Sequence, residues 1–136
     1  MRTVLTDVKK IMCTVRRAPH GSIYVQEGLE AALIVAAYGA EVSLVFMDDG
    51  VFALKRGQDT QELGTKGFAA AYGALMDHDI QCVLVDRHAM AVRGMTEADL
   101  LSIGQDAETG ELRWPRVVEA GEIAALMAEQ HSILSF

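Results

Sequence analysis

Two thiols, four histidines and one Asp-Asp-Gly run are the residues of this 136-residue chain whose types could do chemistry. A cysteine acts as a nucleophile only as the thiolate, which requires partial exposure and a positive neighbourhood. Cys13 lies inside the β-prone run Ile11-Met12-Cys13-Thr14-Val15, and Cys82 inside Ile80-Gln81-Cys82-Val83-Leu84-Val85. Both runs should be buried, so each thiol reads first as a small core residue. Cys13, three residues ahead of Arg16-Arg17, is the better placed of two weak candidates. His20 stands in a Pro-His-Gly turn, where it could shuttle a proton or hydrogen-bond an anion, although a surface turn histidine is the simpler reading. His78 and His88 have no partner visible in sequence, and His131 opens the last strand. Asp48-Asp49-Gly50 could bind a metal at a strand end, but Asp-Gly is ordinary turn chemistry. No CxxC and no Cys/His spacing of a zinc site is present, and neither a metal nor a cofactor is expected.

The elements that must position these residues alternate between strand and helix. After the first strand, Pro19 and Gly21 punctuate a turn, and Ser22 can cap a helix whose apolar positions Leu29, Ala32, Leu33, Ala36 and Ala37 share one face. That helix should stop near Gly39. Glu41 to Met47 reads as a nearly continuous apolar strand of the parallel, doubly covered kind, followed by a short helical turn over Val51 to Leu54. A loop over Arg56 to Gly64 and a second helix over Thr65 to Asp77 lead to the strand carrying Cys82. Arg87 to Val92 is a short helix ending at Gly94, Thr96 to Asp99 has capping-box spacing, and Gly104 to Pro115 is a polar surface loop. Val117 and Val118 form a brief strand, Glu122 to Glu129 a helix, and His131 to Phe136 a closing strand. This order predicts a three-layer α/β/α sandwich on a mostly parallel sheet of four or five strands, with one domain spanning residues 1–136 and a flexible start over 1–7. Ligands in such sheets gather beyond the carboxyl ends of the strands, here the loops Ala18 to Ser22, Asp48 to Gly50 and Asp86 to His88.

Composition narrows the partners. With 51% hydrophobic and 23% charged residues the chain folds, and with 12 Lys+Arg against 19 Asp+Glu it carries a net charge of −7 and no basic run suited to phosphates. Direct nucleic-acid binding is therefore not expected. The longest uncharged stretches, Ala31 to Ala40 and Gly67 to Met76, are too short to span a bilayer, and the first residues lack a signal peptide's apolar core, so a cytoplasmic location is expected. Both stretches fall on predicted helices and leave them without a charged outer face, which predicts a subunit interface. The first loop carries neither GxGxxG nor GxxxxGK[ST], so no nucleotide site is indicated.

Specific residues then supply a resemblance. The Ala18-Pro19-His20-Gly21 turn, Glu27-Gly28-Leu29 on the first helix, Asp49-Gly50-Val51-Phe52 after the second strand and the terminal Ile133-Leu134-Ser135-Phe136 resemble the DsrE/DsrF/DsrH sulfur-relay family, on its DsrF/TusC branch, from about Lys9 to Phe136. The resemblance implies a cytoplasmic hexamer with two paralogous subunits, DsrE-like and DsrH-like, two copies of each chain, passing a persulfide to a downstream acceptor. In that family the work serves sulfur oxidation or 2-thiolation of a tRNA wobble uridine. The relay cysteine of the DsrE-type subunit lies just after the third strand, seven residues ahead of an Arg-Gly pair; here that pair is Arg93-Gly94 and the position holds Asp86. A carboxylate cannot carry sulfane sulfur, so the resemblance implies a non-catalytic subunit, most directly one for sulfur oxidation. The alternatives are a TusC-like subunit of the tRNA relay, a direct carrier using Cys13 or Cys82, and a small-molecule module over the Ala18 to Ser22 and Asp48 to Gly50 loops.

Overall fold

The computed structural model describes residues 8–20, 23–57, 72, 75–80 and 82–136. In chain order the elements are β1 (Lys10–Val15), α1 (Tyr24–Ala37), β2 (Glu41–Phe46), 3-10 turns at Asp48–Leu54 and Leu75–His78, β3 (Cys82–Asp86) and α2 (Arg87–Val92). A third 3-10 turn (Glu97–Asp99), β4 (Gly104–Gln105), β5 (Leu112–Arg113), β6 (Arg116–Val118), α3 (Ala120–Ala128) and β7 (Ser132–Ser135) complete them. Five strands form one sheet in the order β6-β3-β2-β1-β7, every pairing in it parallel, and β4 and β5 form a separate antiparallel pair. The alternation of strand and helix thus yields the expected α/β layers.

The strands in the middle of the sheet are buried on both faces because both are covered. Cys13, Val15, Leu44, Phe46, Val83 and Val85 point to the face roofed by α1, through Val25, Leu29, Ala32 and Ala36, and by the Asp48–Leu54 turn. Tyr72 closes on Phe46 edge to face, with ring centroids 5.5 Å apart. The alternate residues Met12, Val45 and Leu84 face α3, whose Ile123 is buried among them with Leu126 and Met127 beside it. Alternation along each strand sends successive side chains to opposite layers, so an unbroken apolar run is what this sheet requires.

Several boundaries are set by identifiable backbone chemistry. Helix α1 follows Ile23 with no side-chain cap, and Ser22 lies outside the described residues. It ends where Gly39, at φ +91°, turns the chain so that Gly39 and Ala40 donate to Ala36 and Val35. The capping box at Thr96 and Asp99 forms as its spacing predicts, and the Thr96 backbone N–H holds the Asp99 carboxyl below the usual carboxylate range. The polar stretch from Gly104 to Pro115 is not an unstructured loop: it folds back as the β4–β5 pair. Asp106 accepts from the N–H groups of Glu108 and Thr109, both at 2.9 Å, and Gly110 adopts φ +75°, so the turn is made by side-chain chemistry that hydropathy does not reveal. Of the expected loop over Arg56 to Gly64 and helix over Thr65 to Asp77, only Arg56, Gly57, Tyr72, Leu75, Met76 and Asp77 are described, the last three within the Leu75–His78 3-10 turn.

Glycines mark close approaches at residues 28, 50 and 104, the last against the Met76 side chain. A Cβ on Gly50 would stand 1.9 Å from the Val15 carbonyl oxygen, a backbone atom that cannot yield, whereas one on Gly28 would stand 3.0 Å from the Phe136 ring, which can shift. Gly50→Ala should therefore cost about 3 kcal/mol by overpacking, while Gly28→Ala should stay within about 1 kcal/mol of the parent, since helix propensity offsets the contact. Urea unfolding of both variants checks this; equal losses would contradict it.

Candidate functional site

The parallel sheet brings the carboxyl ends of all its strands to one edge, and the loops there are tied by ion pairs. Arg16, just past β1, reaches Asp48, just past β2, at 2.8 Å. Arg93, at the end of α2, reaches Asp49 at 2.9 Å and also donates to the Ala89 carbonyl at 3.1 Å. Arg87, opening α2, pairs with Glu119 beyond β6 at 2.8 Å and more loosely with Glu97 at 3.6 Å. Each pair is exposed and worth at most about 1 kcal/mol, but together they join the loops following neighbouring strands. Asp48 and Asp49, read in sequence as a turn or a weak metal candidate, serve as partners for Arg16 and Arg93 within the 3-10 turn.

Asp86 sits at the end of β3, half-buried, and caps α2: its Oδ1 accepts the His88 backbone N–H at 3.3 Å. A capping carboxylate satisfies a backbone donor and has no sulfur chemistry. His88 itself is exposed, and His20 is half-buried in the loop after β1. His131 lies at the opposite edge of the sheet, where its Nδ1 accepts the Lys10 N–H at 2.9 Å and closes the start of the β1–β7 pairing. His78 ends the Leu75–His78 turn ahead of β3, away from the carboxyl-end loops. Beside the Arg16–Asp48 pair a cavity of about 500 Å³ is lined by Arg17, Tyr24, Ser135 and Phe136, with the Arg17 guanidinium 3.7 Å above the Tyr24 ring.

The cysteines part company. Cys13 is fully buried between Leu44 of β2 and Leu134 of β7, and burial pushes its thiol up to about 11. Cys82, expected mid-strand and buried, stands instead at the first residue of β3 and is half-exposed. The reason is the short β6, which pairs only with Leu84, Val85 and Asp86, while Pro115 just before it has no N–H with which to extend the ladder. Cys82 therefore lines an open cavity of about 530 Å³ with Met76, Ile103, Arg113, Trp114 and Arg116. Its accessibility reverses the order expected from sequence, in which Cys13 came first. The two guanidinium groups are already engaged, Arg113 by Asp106 at 3.2 Å and Arg116 by Glu122 at 2.6 Å. Four strand residues place Cys82 about 13 Å from Asp86, too far to stand in for it. Trp114, the one tryptophan of the chain, is half-exposed at this cavity; its position between Arg113 and Pro115-Arg116 in a polar stretch was the available signal, and the loop reading passed over it.

Alkylation by iodoacetamide at pH 8 should therefore modify Cys82 in the folded protein and spare Cys13. The rise from 9.0 to about 11 alone removes about a hundredfold of the Cys13 thiolate. Peptide mass spectrometry before and after denaturation reads this, and equal native rates at both sites would refute it.

The model of the DsrE/DsrF-like family matches residues 9–136. The intracellular sulfur oxidation protein DsrF of Allochromatium vinosum is 41% identical over 132 residues, covering 95% of this chain and 97% of that protein. A TusC homolog from Vibrio parahaemolyticus is 32% identical over 108 residues, 79% of this chain and 91% of its own length. The crystal structure of the ychN protein from E. coli shares the fold, with a TM-score of 0.75 at 19% identity over 95% of this chain and 100% of that one. The family match from the first strand to the last residue, together with 41% identity along nearly the whole chain, shows that this protein belongs to the DsrE/DsrF-like family.

Proposed function

We propose that this chain is a DsrF-like, non-catalytic subunit of a sulfur-transfer complex serving sulfur oxidation, assembled with DsrE-like and DsrH-like paralogues in two copies each. What supports the reading is Asp86, which stands where the family resemblance places the relay cysteine and caps a helix, in a chain 41% identical to a sulfur oxidation protein DsrF. Persulfide transfer requires a thiolate to attack the terminal sulfur of a persulfide, releasing the donor thiolate and leaving the sulfur on the acceptor. A carboxylate at residue 86 can neither receive nor release that sulfur, so the cysteines of the partner subunits carry it. No described helix is long and apolar enough to cross a membrane. The outer face of α1 supplies surface for assembly, with Ile34 57% and Tyr38 88% exposed; of the counterpart expected over Gly67 to Met76 only Tyr72, Leu75 and Met76 are described. A TusC-like role in tRNA 2-thiolation is the second reading, favoured by relatives named TusC homologs.

Analytical ultracentrifugation of the chain with its two paralogues tests assembly, and persulfide loading of the mixture tests the division of labour. The expected outcome is a stable heteromeric complex in which Cys13→Ser and Cys82→Ser leave transfer unchanged. A chain that never joins its paralogues would overturn the reading, and loss of transfer in an intact Cys82→Ser complex would make this subunit a carrier instead. Delivery of the sulfur to tRNA rather than to the oxidation pathway would favour the second reading.

A further inference from the structure

Helix α1 has two sides of different character. Val25, Gly28, Leu29, Ala32 and Ala36 are buried, while Glu27, Glu30, Ile34 and Ala37 are exposed along one outer stripe that Tyr38 continues past the helix end. Positions three and four apart stack on one helix face, so these residues form a continuous surface about 16 Å long. Its first half is acidic and its second half apolar. The helix contains no Lys or Arg to neutralise the carboxylates. Gln26 donates to Glu30 at 3.1 Å, leaving that charge in place, and the nearby cation Arg17 is held over Tyr24.

This arrangement is poorly suited to a second copy of itself. In an antiparallel pairing centred on the helix, Glu27 of one copy faces Ile34 of the other and the two Glu30 side chains meet at the axis. A parallel pairing sets Glu27 against Glu27. Either leaves carboxylates desolvated or opposed. Contact confined to the last turn would bury only Ile34, Ala37 and Tyr38 from each copy, far below the roughly 800 Å² per partner of a stable interface.

We infer that the outer face of α1 is a heterotypic docking surface: its occupant is a different chain that presents an apolar patch to Ile34 and Tyr38 and lysine or arginine to Glu27 and Glu30. The inference rests on the reading of this protein as a complex subunit and adds the chemistry of the surface that the partner must offer. The acidic half sets orientation and makes association salt-sensitive; the apolar half supplies the buried contact.

The test uses the full chain with its paralogous subunits, comparing the parent with Ile34→Asp, Tyr38→Asp and the double variant Glu27→Lys/Glu30→Lys. All four positions are exposed, and circular dichroism verifies the fold. The chain alone should remain monomeric, and each variant should weaken heteromeric assembly by about tenfold or more, with rising salt weakening the parent more than the lysine variant. If the parent assembles and every variant assembles equally well, the docking surface is elsewhere although the subunit reading stands. If the chain alone dimerises and Tyr38→Asp abolishes the dimer, the occupant is a second copy and the inference is overturned. If the parent never assembles with its paralogues, the subunit reading fails, and this inference with it.

Discussion

The carbonyl of Val15 is the point on which the arrangement of the loops depends. It accepts the Met47 N–H at 3.0 Å as the chain leaves β2, and the Asp48–Leu54 turn then passes so close above it that residue 50 has no room for a side chain. That crossing lays Asp48 beside Arg16 and Asp49 beside Arg93, and it drives Val51, Ala53 and Leu54 into the core under the same roof as α1. Within the Asp49-Gly50-Val51-Phe52 run, Asp49 pairs with Arg93, Gly50 fits against a carbonyl and Val51 is buried, while Asp48 just ahead of it tolerates a positive φ of 50°.

The terminal aromatic strand has a comparable logic. Phe136 packs its ring on Gly28, its N–H donates to Thr14, and its carbonyl accepts from Arg16 at 2.7 Å. The end of the chain is thus stitched to the first strand and the first helix at once. Residues far apart in sequence, the glycine of Glu27-Gly28-Leu29 and Phe136, thus belong to one contact.

At the end of β3, Asp86 serves the short helix α2 by capping it, and Gly94, at φ +70°, turns the chain after Arg93. The accessible thiol of the chain lies about 13 Å away at the other end of the same strand, and the second thiol is sealed in the core.

The five strands of the parallel sheet and the helices α1, α2 and α3 were legible from residue type, because apolar runs and helical spacing report burial directly; Ile11 to Val15 and Glu41 to Met47 appear within a residue of their places. The carboxylate at residue 86 was likewise a matter of identity, since no conformation turns a carboxylate into a thiol. What only the tertiary structure decided concerns contacts and lengths of pairing. The exposure of Cys82 follows from where β6 stops beside β3, the β4–β5 pair from hydrogen bonds made by the Asp106 side chain, and the ion pairs of Arg16 and Arg93 from loops that parallel pairing brings together. Composition reports how much apolar surface must be hidden, but burial of a particular side chain depends on which neighbour the fold sets beside it.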